Sequence, residues 1–421
     1  MRPTAGTNRD AMRPHNLGVV LRHVHHEGGL SRAALTGRMG LTRGSVGELV
    51  TELVALGTVI VVPDPKPRST AGRPSPRVLP DAPNVQVLGA EIGAEHIRVL
   101  GVGLGGRVLA RAAGSTPRSH DPDVVADALV ELASEVVRDM PDGAALLGFG
   151  IGVAGLVGVE GHVEMASSLG WIDVPFADIV RERLPAGSRI EVANDADLGA
   201  LGEHLRGAGQ EVEHLVYVGV DDPGVGGGLI VEGRGLRGAR GFAGEFGHML
   251  VNPNGVRCRC GNVGCWETEI GTPRIAEALG LETSDTDAVA AALSRVERVP
   301  AKLRTAGRFL GWGLAGIVNA LNTEMVVLGG TLRDLYPVVK AEADDAFMRL
   351  VLPAPRGSVR LALSRLGADA ASIGAAEMVF EPLFDDPAEV LAAAHRGPLP
   401  RPANASRRPA MASAHASAAL G

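Results

Sequence analysis

Residues 258–265 read Cys-Arg-Cys-Gly-Asn-Val-Gly-Cys, and this window holds all three cysteines of the 421-residue chain. One histidine, His248, lies ten residues upstream of the first cysteine. Thiolates and an imidazole are the ligands that zinc takes in a closed tetrahedral site, and the two glycines permit the tight turns needed to bring the thiolates together. The alternative is a set of three buried thiols without a metal. We predict a structural Zn²⁺ site with the ligands His248, Cys258, Cys260 and Cys265.

The composition is that of a globular chain, with 45% hydrophobic and 21% charged residues. Three cysteines are too few for a disulfide framework, which favours a reducing compartment, and we expect a cytoplasmic protein. The longest uncharged stretch, residues 143–159, is too short and too rich in glycine to span a bilayer, so no membrane association is expected. Aromatic residues make up only 3% of the chain, which argues against a protein that binds single-stranded nucleic acid by stacking bases on aromatic side chains.

The first 80 residues predict a winged helix-turn-helix. Apolar residues recur with a helical period over 16–27, Ser31 is a suitable N-cap for a second helix, and Thr42 for a third that runs to about Leu56. The wing would consist of a strand at 58–62, a loop rich in Pro, Arg and Gly, and a second strand at 77–79. Two short helices joined by a glycine turn are typical of a helix-turn-helix.

Charge supports the same reading of this segment. Residues 1–80 carry 11 Lys or Arg and 5 Asp or Glu, a net charge of +6, which leaves −13 for the rest of a chain whose total is −7. A basic N-terminal segment (residues 1–80, the head) followed by an acidic body is typical of a protein that binds nucleic acid through one end. The alternative is a structural three-helix bundle with a solvated basic face. The residues predicted to contact DNA are Arg32, Thr42, Arg43, Ser45 and, on the wing, Arg73.

From residue 87 onward, strand-like runs alternate with helical ones, which predicts an α/β body. We therefore divide the chain into four segments. They are a disordered N-terminus over 1–14, a DNA-binding domain over 15–82, an α/β body over 83–394 and a disordered tail over 395–421.

Several motifs together resemble those of the ROK family, which contains bacterial repressors, open reading frames and sugar kinases. The run Gly-Glu-Phe-Gly-His over 244–248, followed by the cysteine window and Glu267, resembles the family signature and its zinc motif. Asn-Asp-Ala over 194–196 resembles the segment that holds the family's sugar-binding Asn and catalytic Asp. Similar segments occur at 150–155, 169–171 and 327–330, and the N-terminal helices and wing resemble the DNA-binding domain of ROK repressors. The resemblance covers roughly residues 16–385.

The resemblance implies an actin-like ATPase fold, in which two α/β lobes enclose a cleft. It also implies a set of sugar contacts, which chemistry supports because carboxylates and amides orient vicinal hydroxyl groups. His248 would turn one ring nitrogen to zinc and the other to the sugar. One departure from many relatives is Ser168, which stands where they have Asn. The predicted ligand-binding residues are Asn194, Asp195, Glu245, His248 and Glu267.

The phosphate loop departs from the pattern of the family's kinases. These begin with Asp-x-Gly-Gly-Thr-Lys, whereas the matching residues here are Glu-Ile-Gly-Ala-Glu-His over 91–96. Ala94 adds a methyl group, Glu95 a carboxylate, and His96 replaces the permanent cation. Each change weakens polyphosphate binding, so we expect no ATP cofactor and no enzyme. Asp195 would be the general base in a kinase, but is expected here to accept a hydrogen bond.

The sequence thus predicts a sugar-responsive transcription regulator, specifically a repressor released from operator DNA when a sugar or sugar derivative binds in the cleft. Operator logic and the fold imply a homodimer or homotetramer. One alternative is an ATP-dependent sugar kinase of the glucokinase type with a DNA-binding appendage. Another is a DNA-binding protein whose body serves only as a dimerisation scaffold.

Overall fold

The secondary structure follows the predicted order of a helical head and an α/β body, as seen in a computed structural model that describes residues 9–63, 75–158, 160–221, 224–283 and 285–394. The helices are α1 Arg9–Glu27, α2 Arg32–Met39, α3 Arg43–Ala55, α4 Pro122–Asp139, α5 Phe176–Arg181, α6 Asp195–Arg206, α7 Glu267–Ile270, α8 Thr272–Leu279, α9 Thr286–Leu293, α10 Ala301–Leu321, α11 Thr331–Leu350, α12 Pro353–Arg356, α13 Ala370–Phe380 and α14 Pro387–Ala393. Short 3-10 helices cover Phe246–His248, Gly367–Asp369 and Glu381–Phe384.

The strands are β1 Leu30–Ser31, β2 Val59–Val62, β3 Arg77–Pro80, β4 Val85–Ile92, β5 His96–Gly103, β6 Arg107–Ser115, β7 Ala145–Val153, β8 Leu156–Val157, β9 Val163–Ala166, β10 Trp171–Val174, β11 Ile190–Asn194, β12 Leu215–Asp221, β13 Gly224–Val231, β14 Arg234–Gly235, β15 Met325–Gly330 and β16 Arg360–Leu363.

The head contains the predicted helix-turn-helix and both strands of the wing. The Ser31 hydroxyl caps α2 by accepting a hydrogen bond from the Ala34 N–H, and Thr42 caps α3 in the same way. Gly40 ends α2 with a φ of 61°, a left-handed conformation that glycine adopts without strain. Strands β2 and β3 pair antiparallel, and β1 joins the outer edge of β3. The tip of the wing, with Arg73, lies outside the described residues.

Helix α1 begins at Arg9, well before the start near residue 16 that the apolar pattern predicts. Pro14 and the polar residues around it conceal this extension in the sequence. The extension is held by a contact with α3, because the Arg13 guanidinium donates to the Glu52 carboxylate at 2.6 Å. The predicted disordered N-terminus therefore overlaps the helix over 9–14, while residues 1–8 and the predicted tail lie outside the described residues.

The body has two five-stranded sheets, and these form the two lobes of the predicted actin-like fold. The first has the order β11-β7-β4-β5-β6 and the second β14-β13-β12-β15-β16. Helices α6 and α13 lie between them, held close by glycines on both sides. A Cβ on Gly89 or Gly150 of the first sheet would clash with the backbone of α13, and one on Gly228 of the second with the backbone of α6. The actin-like fold class and the winged head are confirmed.

The head and body share one hydrophobic core. Leu21 and Val24 of α1 belong to the same buried cluster as Val87 of the first sheet and Phe380 of α13. Helix α1 also approaches the body's C-terminal segment so closely that a Cβ on Gly18 would lie 1.9 Å from the Phe384 carbonyl oxygen. A domain boundary at residue 82 stays a prediction, since the core continues across it. Within the described ranges, no helix combines the length and apolar content required to cross a membrane.

Candidate functional site

A cavity of about 440 Å³ opens between the two lobes. This size is typical of small-molecule sites. One wall comes from the turns after β7 and β9 and from the start of α6, and the other from the second sheet and α9. Ser168 lies on the first wall. All five residues predicted to bind a sugar line the cavity: Asn194, Asp195, Glu245, His248 and Glu267.

Asn194 lies at the junction of β11 and α6 and caps the helix. Its Oδ1 accepts hydrogen bonds from the backbone N–H groups of Ala196 and Asp197, at 2.9 and 3.0 Å. Its Nδ2 donates to the Gly155 carbonyl on the neighbouring turn, at 2.9 Å. Asn194 therefore ties the first turn of α6 to the wall of the cavity, in addition to facing it.

Acidic side chains gather at this end of α6. Burial raises the pKa of Asp195 to about 6, a hydrogen bond from the Ala196 N–H opposes the rise, and the Glu245 carboxylate adds to it. Burial also raises the pKa of Asp197 to about 7, against the opposing charge of Arg237. Asp197 was not among the predicted site residues, and it does not line the cavity. The cluster offers several acceptors for hydroxyl groups in a small volume.

The predicted metal ligands converge on one point. One donor atom from each of the four residues lies within 4.8 Å of the other three. The Cys260 and Cys265 sulfurs are 3.6 Å apart, and His248 Nδ1 is 3.8 Å from Cys258 Sγ. A tetrahedral centre with ~2.3 Å metal–sulfur bonds has edges of about 3.8 Å, so the side chains fit a zinc-sized ion. This is a candidate Cys/His metal site.

His248 links the metal cluster to the cavity. Its Nδ1 faces Cys258, while its Nε2 lies 3.7 Å from Glu245 Oε2. Glu267 is shared in the same way, because its Oε1 accepts a hydrogen bond from the Cys258 thiol at 2.8 Å. Any metal bound here would therefore fix the His248 ring, whereas the Cys258 thiol that donates to Glu267 would lose its proton as a metal ligand.

The loop that matches the kinases' phosphate loop lies on the opposite side of the cavity. Side chains of this protein lie in the space next to its glycine. The His96 ring packs on Gly93, where a Cβ would lie 3.2 Å from its Cε1. Arg98 donates to His96 Nε2 and, at 3.4 Å, to Glu91. The Glu95 side chain is exposed and does not line the cavity, so the predicted direct repulsion of phosphate by Glu95 finds no support in its position.

Backbone N–H and carbonyl groups of this loop also form hydrogen bonds within the protein. The Gly93 N–H donates to the His96 carbonyl at 2.9 Å, and the Gly93 carbonyl accepts from the Thr116 hydroxyl at 2.7 Å. The Ala94 carbonyl accepts from His120 at 3.0 Å. In strand β13, a Cβ on Gly227 would lie 2.3 Å from the Phe246 ring, so packing requires glycine at this position.

Three of the predicted DNA contacts share the first turn of α3. Arg43 is exposed there, and the hydroxyls of Thr42 and Ser45 bond each other at 2.9 Å. Arg32 lies apart from them, at the start of α2, with its side chain partly buried. The outer face of α3 adds residues that the sequence analysis did not select: Gly44, Gly47, Glu48 and Thr51.

Comparison with known proteins agrees with this geometry. The ROK family model matches residues 87–381. The Bacillus spizizenii xylose repressor is 27% identical over 375 residues, which cover 88% of this chain and 96% of the repressor. The Halalkalibacterium halodurans glucokinase is 30% identical over 290 residues, covering 61% of this chain and 82% of the kinase.

Solved structures show the same contrast in coverage. A ROK family transcriptional regulator, described as a homologue of the E. coli MLC protein, superposes with a TM-score of 0.71 at 23% identity over 91% of this chain and all of that chain. The Streptomyces griseus ROK glucokinase, solved with glucose and AMPPNP, gives 0.60 at 28% identity over 70% of this chain and 98% of that chain. With the family model matching the greater part of the body, the chain belongs to the ROK family.

Proposed function

We propose that this chain is a sugar-responsive transcription regulator, and specifically a repressor that leaves its operator when a sugar or sugar derivative fills the cavity between the lobes. The observation that carries the proposal is the combination of a winged helix-turn-helix with a cavity whose acidic wall suits hydroxyl groups. The near-complete alignment with xylose repressors supports it.

The head would bind DNA through the first turn of α3. Arg43 can bind guanine through two hydrogen bonds, and the Thr42 and Ser45 hydroxyls can contact phosphate. Gly44 and Gly47 carry no side chain on the outer face of α3, so this helix can lie deep in the major groove, with Glu48 and Thr51 close to the bases. Arg32 and Arg73 would contact the backbone and the minor groove. A homodimer or homotetramer would place two heads on half-sites about one helical turn, ~34 Å, or a multiple of it apart.

In the cavity, Asp195 and Glu245 would accept hydrogen bonds from sugar hydroxyl groups, and Asn194, His248 and Glu267 would complete the site. A structural Zn²⁺ held by His248 and the three cysteines would order this wall. With four protein ligands the ion would have no open position and would supply no chemistry of its own. The three cysteines must stay reduced to bind the ion, and this need supports a cytoplasmic location.

We do not assign kinase activity, because the loop over 91–96 is filled by the His96–Arg98–Glu91 cluster. Bound nucleotide would have to displace a paired, partly buried set of charges. The glucokinases that match the body keep the kinase as the second candidate, and the raised pKa of Asp195 is what a general base needs.

The test is a titration of the purified protein with DNA from upstream of its own gene, at fixed salt, with and without D-xylose and D-glucose. Binding that one sugar weakens supports the regulator, and the sugar is then the inducer. Tight binding that no sugar changes supports a body that is only a scaffold. ATP-dependent phosphorylation of a sugar, lost in Asp195→Asn, would support the kinase.

A further inference from the structure

The C-terminal end of α6 meets the DNA-binding head at a buried ionic junction. Arg206, the last residue of α6, donates from Nε to Glu377 of α13 at 2.6 Å. Its Nη1 donates to the carbonyl oxygens of His25 and His26, the last full turn of α1, at 2.9 and 3.3 Å. Carbonyl groups at a helix C-terminus lack intrahelical partners and favour a cation. Arg206 therefore completes the end of the head's first helix.

The charge balance of this junction follows from its hydrogen bonds. The Gly105 N–H donates to His25 Nδ1 at 2.9 Å, so that nitrogen carries no proton. The proton of His25 lies on Nε2, which donates to Glu377 Oε2 at 2.7 Å. His25 is therefore neutral, and Arg206 is the cation that balances the buried Glu377 carboxylate. Neither charge can be removed alone without leaving the other buried and uncompensated.

The opposite end of the same helix lines the cavity. Asn194 and Asp195 begin α6, and Arg206 ends it, after 12 helical residues, a length of roughly 18 Å. A helix of this length transmits a displacement of one end to the other, because its backbone hydrogen bonds resist compression and bending. A ligand that moves Asn194 or Asp195 therefore moves Arg206.

Helix α6 cannot shift without affecting α13. A Cβ on Gly374 of α13 would lie 1.8 Å from the Leu198 carbonyl oxygen, and one on Gly202 of α6 would lie 2.5 Å from the Ala370 carbonyl oxygen. The two helices thus touch backbone to backbone, with α6 against the second sheet and α13 against the first. A change in the angle between the lobes must be taken up at this contact, and Arg206 and Glu377 form the ion pair that spans it.

Building on the proposed function, we propose that the α6–α13 helix pair couples the sugar cavity to the DNA-binding head, and that Arg206 is the positioning residue through which closure of the cleft reorients the head. Sugar binding would displace the start of α6, and Arg206 would carry that displacement to the carbonyl groups at the end of α1. The head would then lose the orientation that fits its operator.

The test compares two variants that each remove a head-to-body ion pair. The junction variant is Arg206→Met with Glu377→Gln, which removes both charges together and leaves neither alone in the core. The control is Arg22→Met with Glu381→Gln, because Arg22 of α1 pairs with Glu381, just after α13, at 2.8 Å and not with a residue of α6. Operator affinity is measured with and without D-xylose or D-glucose, sugar affinity without DNA, and folding by thermal denaturation.

We expect sugar to weaken operator binding by wild type and by the control within the 5- to 150-fold range usual for allosteric coupling. In the junction variant the ratio of operator affinity without sugar to operator affinity with sugar should fall to about one. Its sugar affinity and its operator affinity without sugar should each change less than about threefold. The conservative Arg206→Lys, which keeps the charge but loses the fork of donors, should give an intermediate ratio. It also serves if the double variant does not fold.

The outcomes separate the two proposals. If neither D-xylose nor D-glucose changes operator binding by wild type, the proposed function is wrong for these two sugars and the coupling inference falls with it. If wild type responds and the folded junction variant keeps the full ratio, the coupling inference alone is wrong. Equal loss in the control would also overturn it, because any head-to-body contact would then serve.

Discussion

The two sides of the cavity differ in how their polar side chains are paired. On the sugar side, Asp195, Glu245 and Glu267 present acceptors to the cavity, and the cysteine cluster stands behind them. On the phosphate side, His96 and Arg98 pair with each other and fill the corner over Gly93. The difference between the two sides fits the proposed sensor, which would bind a sugar without transferring phosphate to it.

The largest effect should come from removing the metal ligands on the sugar side. Cys258→Ser should reduce bound zinc from about one per chain to nearly none and abolish sugar binding, because His248 loses the metal that fixes its ring. Metal content by mass spectrometry and calorimetry with sugar measure this. The exposed neighbour Arg257→Ala is the control and should leave both unchanged. Normal sugar binding by a metal-free Cys258→Ser protein would contradict the prediction.

A smaller loss of sugar affinity should follow when one carboxylate is neutralised on the sugar side, and almost none when one is neutralised on the phosphate side. Asp195→Asn replaces a charged acceptor, which costs about 1.5–3 kcal/mol, or roughly 10- to 100-fold in sugar affinity. Glu95→Gln, on the exposed phosphate-side loop, should change sugar affinity less than about twofold. Isothermal calorimetry on both variants gives the comparison, and equal losses would show that the sides do not differ.

The pH dependence of sugar binding should follow Asp195, whose pKa is raised to about 6. Above that pH the ionised carboxylate accepts a charge-assisted hydrogen bond, and below it the protonated group is a weaker acceptor. Sugar affinity should therefore fall about tenfold between pH 7 and pH 5. Asp195→Asn should flatten the profile, and a variant that keeps the wild-type slope would assign the titration to Glu245 or Asp197 instead.

The same shift has an opposite consequence for stability. Because the pKa of Asp195 is higher in the folded protein than in the unfolded chain, the folded state binds more protons between pH 4 and 6. This group therefore favours folding at low pH and opposes it as pH rises through about 6. Denaturation of wild type and Asp195→Asn across this range should show the difference.

The smallest effect should come from rebuilding the phosphate side. Ala94→Gly, Glu95→Thr and His96→Lys together restore the Gly-Gly-Thr-Lys part of the kinase pattern and remove the His96 ring from Gly93. We expect Mg-ATP to stabilise this variant by about 1 kcal/mol at concentrations a few times its Kd, and wild type not at all. Thermal denaturation with and without nucleotide measures it. An equal response of wild type would mean that the native loop already binds ATP.

Local signals account for what the sequence predicted well. The caps at Ser31 and Thr42, the apolar strands of both sheets and the cysteine spacing are short-range features, and the structure has all of them. The five cavity residues followed from motifs that resemble those of the family. Asn194 and Asp195 lie at a strand-to-helix turn, whereas Glu245 and His248 lie at a 3-10 turn and Glu267 begins α7.

The features that the sequence did not predict depend on contacts between distant residues. His25 and Glu377 are 352 positions apart, and Arg206 and Glu377 are 171 apart, so no window contains the junction. The raised pKa of Asp197 comes first from burial, which the motif does not reveal. The early start of α1 depends on Glu52 of another helix.

The core that head and body share has a practical consequence for building chimeric biosensors. Grafting the DNA reader onto another sensor by cutting near residue 82 would leave Leu21 and Val24 without the Phe380 and Phe384 side chains that cover them. The transplantable unit is discontinuous in sequence, since it needs the segment around 380–391 as well as the head. Swapping operator specificity is therefore simpler by replacing only the exposed face of α3 on the intact chain.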